Sequence, residues 1–350
     1  MRGGDLTGAL LVCSTGTQAA QMLSIDRGVT WVGATPACCS YNRAKLMRSL
    51  VLIASLVFAP LNSYVHAQLP AALIADPAVD KTNPATMESF QIPSHDGALN
   101  VLVYVAAGAG PHPTVVLLHG FPGNEKNLDL AQAIRRAGWN VFWFNYRGSW
   151  GSPGAYSFTH AIEDTDTALA YLHVSANAAR LRVDPARIVL AGHSIGGFVS
   201  TIVGARHPEL LGVGLISAAS FDRIVPAVRE GKGEAAVAPL AASLEREGLY
   251  PLAGCTATSL AQEAVAHALA WSFPAQARGL AAHPLLVISS DDGLAPATDD
   301  LVIKVRAIQS ANRVTAVHLS TDHSYSDHRI ALEAAFLNWL ATLTPVGPAK

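Results

Sequence analysis

The sequence predicts an α/β protein with one mostly parallel central sheet and helices on both of its faces. Strand-like apolar runs alternate with helix-compatible segments from Thr114 onward, the pattern of βα units. One of those runs, Ile188 to Ala191, is apolar at every position, as a strand covered on both faces must be. It breaks off at Gly192 into Gly192-His193-Ser194-Ile195-Gly196-Gly197 and passes directly into a second helix-compatible segment.

The elements follow in order. From Gln68 to Thr86, Pro70, Pro77 and Pro84 stand among small residues and suit an extended lead-in. Ser89 to Pro93 and Asn100 to Ala106 read as an antiparallel hairpin at the sheet edge, turned at His95-Asp96-Gly97. Thr114 to His119 is a buried strand, Leu128 to Ala137 a helix, and Asn140 to Asn145 the next strand. Thr159 to Leu172 is a helix whose Glu163, Asp164 and Asp166 favour its N-terminal half, so these carboxylates are read as structural. Asp184-Pro185 turns the chain into the central strand, with a helix from Gly197 to Arg206 and a strand from Gly212 to Ser217 behind it. Residues 222–281 break the alternation with two alanine-rich helical patterns, near Gly233 to Glu247 and Thr258 to Leu269. This is longer than a βα connection needs. It reads as a small helical cap over the sheet's carboxyl edge, or else as one crossover helix with a surface excursion. Pro284 to Ser290 and Thr315 to Leu319 are the last strands, and Asp327 is placed to cap a final helix ending near Leu343.

Gly192 to Gly196 fits G-x-S-x-G, a serine held at a sharp strand-to-helix turn whose crowding admits only glycine on either side. With a buried strand before it and a helix after, the chain resembles the α/β-hydrolase family over about Glu88 to Leu343. The loop Tyr146 to Gly151 is similar to one that the dienelactone hydrolase and prolyl oligopeptidase branch places beside its pocket. The resemblance implies a catalytic triad in the chain order Ser194, Asp292, His323, each just beyond the end of its own strand. Asp292 stands four residues ahead of Pro296, the family's spacing for the acid, with Asp291 as the alternative. Among thirteen histidines, His323 alone lies between the last strand and the last helix. The oxyanion hole falls to the backbone N–H groups of Ile195 and Phe121, since Pro122 has none to give. His119 is read as a brace for that loop. Trp150, Tyr156 and Phe158 either line an apolar acyl pocket or pack the loop down.

Half of the 350 residues are apolar, 14% are charged, and the formal net charge is −2. A chain so balanced can bury one large core, and with no run of basic residues it argues against nucleic acid as its main partner. Arg43, Lys45 and Arg48 precede the apolar run Leu50 to Leu61, followed by Val65-His66-Ala67, which reads as a signal peptide over 47–67 cut after Ala67. Residues 1–46 are then a spurious or disordered extension, 68–87 a linker, 88–343 the catalytic domain and 344–350 a tail. Of Cys13, Cys38, Cys39 and Cys255 only the last survives that cleavage, so no internal disulfide is expected. No Cys or His cluster has metal-ligand spacing, and neither a metal nor an organic cofactor is expected.

These readings combine into a periplasmic or secreted serine hydrolase of small-molecule carboxylic esters, touching membrane only if the signal segment stays uncleaved. The alternatives are a peptidase or amidase of the prolyl oligopeptidase type and a non-catalytic binding protein of the same fold. Nothing in the sequence speaks to oligomeric state.

Overall fold

The computed structural model describes residues 69–308 and 313–343; the expected extension 1–46, signal segment 47–67 and tail 344–350 lie outside the described residues. Eight strands form one sheet: β1 (Thr86–Ser94), β2 (Gly97–Val105), β3 (His112–Leu118), β4 (Asn140–Asn145), β5 (Val183–His193), β6 (Gly212–Ile216), β7 (Leu285–Ser289) and β8 (Val314–His318). Their spatial order is β1-β2-β4-β3-β5-β6-β7-β8. β1 and β2 form the antiparallel edge hairpin, β2 runs antiparallel to β4, and every later neighbouring pair is parallel. In the hairpin, Ser94 pairs with Gly97 across a two-residue turn in which His95 takes a left-handed φ of 49°.

Alternation within the strands divides the core between the two faces. Val116, Leu118, Phe142, Phe144, Leu190 and Leu215 point to one side, where the helices Phe158–His173, Ile195–Gly204 and Phe273–Leu280 cover them. Val115, Leu117, Val141, Trp143, Val189 and Ala191 point to the other, beneath Leu128–Arg136 and Arg329–Leu343. Among the described residues no helix is long and apolar enough to cross a membrane.

Two local expectations are corrected. The Asp184-Pro185 turn is absorbed into β5, which begins at Val183; its pairing with β3 is irregular between His112 and Thr114, where Pro185 offers no N–H. Asp327 does not cap the final helix. Its carboxylate accepts instead from the Thr321 hydroxyl and pairs with the His328 ring.

Residues 222–281 hold a short 3-10 turn at Asp222–Ile224 and four α-helices, Val225–Arg229, Glu234–Glu247, Ala257–His267 and Phe273–Leu280. The last is the crossover helix: a Cβ at Gly279 would lie 2.1 Å from the Ala205 carbonyl oxygen, so it packs backbone to backbone on the chain after Ile195–Gly204. The segment between the middle helices is tied to the loop after β4. Ala253 N–H donates to Gly148 (2.7 Å), and Tyr156 N–H donates back to Ala253 (2.8 Å). Glu263 accepts from the Phe158 and Thr159 N–H groups at 2.9 and 2.8 Å, which places its charge at the N-terminus of Phe158–His173.

The loop after β4 is anchored from beneath by Arg147, whose side chain is 2% exposed. Its guanidinium donates to Asp164 (2.6 Å), Asp96 (2.8 Å) and Glu163 (2.5 Å), and its N–H donates to Asp164 at 2.7 Å. The carboxylates read as structural from their helix position thus include two that hold this loop in place.

Candidate active site

β5 ends at His193, and Ser194 follows with φ 57° and ψ −122° before the helix Ile195–Gly204 begins. A left-handed φ in a residue with a Cβ is a strained conformation, of order 1–3 kcal/mol, held by its surroundings. Those surroundings are tight. A Cβ at Gly192 would lie 2.2 Å from the Gly196 carbonyl oxygen, and one at Gly196 would lie 2.6 Å from the carbonyl oxygens of Leu118 and His119. The flanking glycines are therefore required by space, which is the reason the motif reads as it does.

Asp292 and His323 follow β7 and β8, so both arrive at the carboxyl edge where Ser194 stands. The His323 Nδ1–H donates to Asp292 Oδ2 at 2.7 Å, which leaves Nε2 as the free ring nitrogen. The Asp292 side chain is only 5% exposed. Burial works to raise its pKa, but hydrogen bonds from His323, the Leu294 N–H and the Ser217 and Ser290 hydroxyls outweigh that and hold it well below the usual carboxylate range. Asp291, the alternative acid, pairs with His318 at 2.9 Å. Behind Asp292, the Ser217 hydroxyl bonds Ser290 at 2.9 Å and the buried Tyr325 hydroxyl at 2.8 Å.

Ser194, Asp292, His323, Phe121 and Ile195 line one cavity of about 430 Å³. Neither the Ile195 nor the Phe121 N–H donates to any described residue, so both are free for an incoming oxygen. Among the described residues no hydrogen bond joins the Ser194 hydroxyl to His323. His119 is buried, with Nδ1 2.8 Å from the Gly120 carbonyl and its ring 4.6 Å from that of Tyr146; burial lowers its pKa to about 4, so it stays neutral.

The expectation that Trp150, Tyr156 and Phe158 line an acyl pocket is corrected. None of them lines the cavity at Ser194. Trp150 donates its indole N–H to the Pro122 carbonyl at 2.8 Å and lies under Lys126, while Tyr156 and Phe158 are 2% and 0% exposed and pack against Phe121 from the core side. Hydrophobic burial of the two rings holds the loop down. The apolar lining comes instead from Phe121, Phe221, Leu244 and Leu294.

Reasoning from the sequence missed His193 and Tyr325. His193 Nε2–H donates to the His323 carbonyl at 2.8 Å, with ring centroids 4.6 Å apart. Both stand within two residues of a candidate site residue, the one signal that marked them. Leu244 and Glu247 had no such signal, because they reach the cavity from the helix Glu234–Glu247.

A sheet of this order, with a serine elbow after β5 and an Asp–His pair after β7 and β8, defines the α/β-hydrolase fold. The chain is a protein of that fold: residues 113–233 match the family model described as alpha/beta hydrolase fold. It is 32% identical over 122 residues to the Escherichia coli protein YfhR, covering 33% of this chain and 40% of that one. It is 31% identical over 99 residues to the alpha/beta hydrolase domain-containing protein WAV2 of Arabidopsis thaliana, covering 28% and 30%. The chain thus spans about two fifths or less of the length of these relatives. Similar solved structures include the metagenomic carboxylesterase EstE1, at 20% identity and TM-score 0.54 over 79% of this chain and 93% of that one. Another is Est1E of Butyrivibrio proteoclasticus, at 14% identity and TM-score 0.55 over 73% and 98%. At these identities the likeness is one of fold.

Proposed function

We propose that the chain is a serine hydrolase that cleaves carboxylic esters through an acyl-enzyme. The observation that carries this reading is the 2.7 Å Asp292–His323 pair on the same cavity as a serine strained into an elbow. A serine hydroxyl is a weak nucleophile until a neutral imidazole takes its proton. His323 Nε2 is the acceptor. Its contact with Ser194 Oγ forms as substrate enters, as catalytic hydrogen bonds commonly tighten only in the loaded complex.

In the first half-reaction Ser194 Oγ bonds to the ester carbonyl carbon while its proton passes to His323, and the carbonyl oxygen becomes an oxyanion held by the Ile195 and Phe121 N–H groups. Collapse breaks the bond to the alcohol oxygen, which leaves with the proton from His323. Water then repeats the sequence, giving the acid and restoring the serine. Asp292 orients the ring and stabilises its cationic form. Each oxyanion donor is worth about 3–4 kcal/mol in comparable sites. We also propose export, with cleavage after Ala67, supported by the basic residues and apolar run ahead of it. An N-terminus of the exported protein other than Gln68 would overturn that cleavage.

The test of the activity is covalent labelling by a fluorophosphonate together with turnover of a short acyl ester. Both are expected in the native chain and absent in Ser194→Ala with its thermal melt unchanged; full ester turnover by that variant would end the proposal.

A further inference from the structure

Two cavities meet at Ser194, one of about 430 Å³ and one of about 120 Å³, and Phe121, Ser194, His323 and Glu247 line both. Among the described residues no lysine or arginine lines either one. The carboxylates are Asp292, Glu125 and Glu247, and the first two are compensated. Asp292 is bound to His323, and Glu125 accepts the Asn127 N–H at 2.6 Å with the Arg329 guanidinium 4.0 Å away. Glu247 is exposed and, among the described residues, has neither an ion pair nor a hydrogen bond.

A second observation points the same way. Glu247 is the last residue of the fourteen-residue helix Glu234–Glu247, so its carboxylate stands at the negative end of the helix dipole, where a negative side chain is unfavourable. Its neighbour Arg246 lines neither cavity. Two sources of negative potential therefore face the space beside the nucleophile, and the rings of Phe121 and Phe221 line the larger cavity. Carboxylate, helix C-terminus and aromatic rings together attract a cation and repel an anion. Beyond Leu294 a neighbouring cavity of about 380 Å³ contains Arg223 and Arg229 together with Asp222 and Asp300, so the unbalanced negative side is the one at Glu247.

We infer that the substrate carries a cationic amine or quaternary ammonium group that lies against Glu247 while its carbonyl is presented to Ser194. This rests on the hydrolase reading above and names its substrate class. It makes Glu247 a specificity-determining residue that the chemistry itself does not use.

The experiment compares butyrylcholine with its uncharged carbon isostere neohexyl butyrate, in the native chain and in Glu247→Gln. The expected kcat/KM ratio favours the cationic ester by about three- to ten-fold at low salt and falls toward one in Glu247→Gln. A native ratio of one or below, or a ratio that Glu247→Gln leaves unchanged, overturns the inference. In parallel, choline and neohexanol are titrated calorimetrically into Ser194→Ala with and without Glu247→Gln. If the native chain turns over neither ester and no fluorophosphonate label forms, the hydrolase reading fails. The inference about charge then stands if choline binds more tightly than neohexanol in a Glu247-dependent way, and falls if it does not.

Discussion

The His193 ring donates from Nε2 to the backbone carbonyl of His323 at 2.8 Å, so the residue before Ser194, the proposed nucleophile, holds the loop that carries the proposed base. His193 is 2% exposed; burial first, then the neighbouring His323, lowers its pKa to about 3. It is a neutral donor near neutral pH. Tyr325, two residues beyond His323, pins the same loop through its hydrogen bond to Ser217.

His193→Leu removes that donor. The expected result is a fall in kcat of about ten- to hundred-fold with KM within a factor of a few, because a misplaced base affects the transition state and not ground-state binding. His193→Gln keeps an N–H and is expected to recover part of the loss. Steady-state kinetics on a short acyl ester, with thermal melts alongside, checks this; equal losses in both variants would mark His193 as packing alone.

Asp292→Asn is expected to lower kcat by about 10⁴-fold, the loss that follows elsewhere when an amide replaces the carboxylate and the imidazole takes the wrong tautomer. Single-turnover kinetics reads it. Because the folded pKa of Asp292 lies below its ordinary value of 3.8, this group's contribution to stability is complete above that pH and is lost only as pH falls through the lower folded value. Ionisation of Asp292 itself therefore adds no step to the pH–rate profile above pH 5.

Arg147→Ala is expected to cost about 3–5 kcal/mol, read by chemical denaturation, because it leaves Asp164, whose side chain is 0% exposed, as a buried charge without its cation. The loop from Tyr146 to Ser157 is held at this point, so activity should fall with stability. Glu125→Gln, where the ion pair to Arg329 is half-buried but long at 4.0 Å, should change stability by less than about 1 kcal/mol.

His207 supplies a pH signature of a different sign. A hydrogen bond from its ring to Asp166 raises its pKa against the opposing effect of burial, with Glu209 adding to the rise. Its stabilisation is complete below its unfolded value of 6.5 and is lost as pH rises through the folded one. The native chain is expected to melt about 1–2 °C above His207→Gln at pH 5.5, a gap that closes as pH rises through the raised folded value.

The alternation of strands and helices, the edge hairpin and the elbow were legible because each is a local demand written along the chain. An apolar run records a strand covered on both faces, and Gly192 and Gly196 record a clearance that no Cβ can share. The chain order of Ser194, Asp292 and His323 was legible for a related reason: residues just past the ends of parallel strands share one edge of the sheet. The choice between Asp291 and Asp292 turned on a side-chain pairing, and the structure puts Asp292 on His323 and Asp291 on His318.

What the sequence determined by itself, then, is the sheet, its helices and the edge at which chemistry-bearing residues gather, since periodicity and steric exclusion act between near neighbours in the chain. Only the tertiary structure decided what surrounds that edge. Of Trp150, Tyr156 and Phe158, read as lining a pocket or packing the loop down, Tyr156 and Phe158 turn inward because hydrophobic burial under the β4 loop exceeds what a half-wet cavity offers an aromatic ring, while Trp150 stays half-buried between the Pro122 carbonyl and Lys126. Leu244 and Glu247 reach the cavity because residues 222–281 fold back over it, held by backbone hydrogen bonds between Gly148, Tyr156 and Ala253 that connect parts of the chain far apart in sequence.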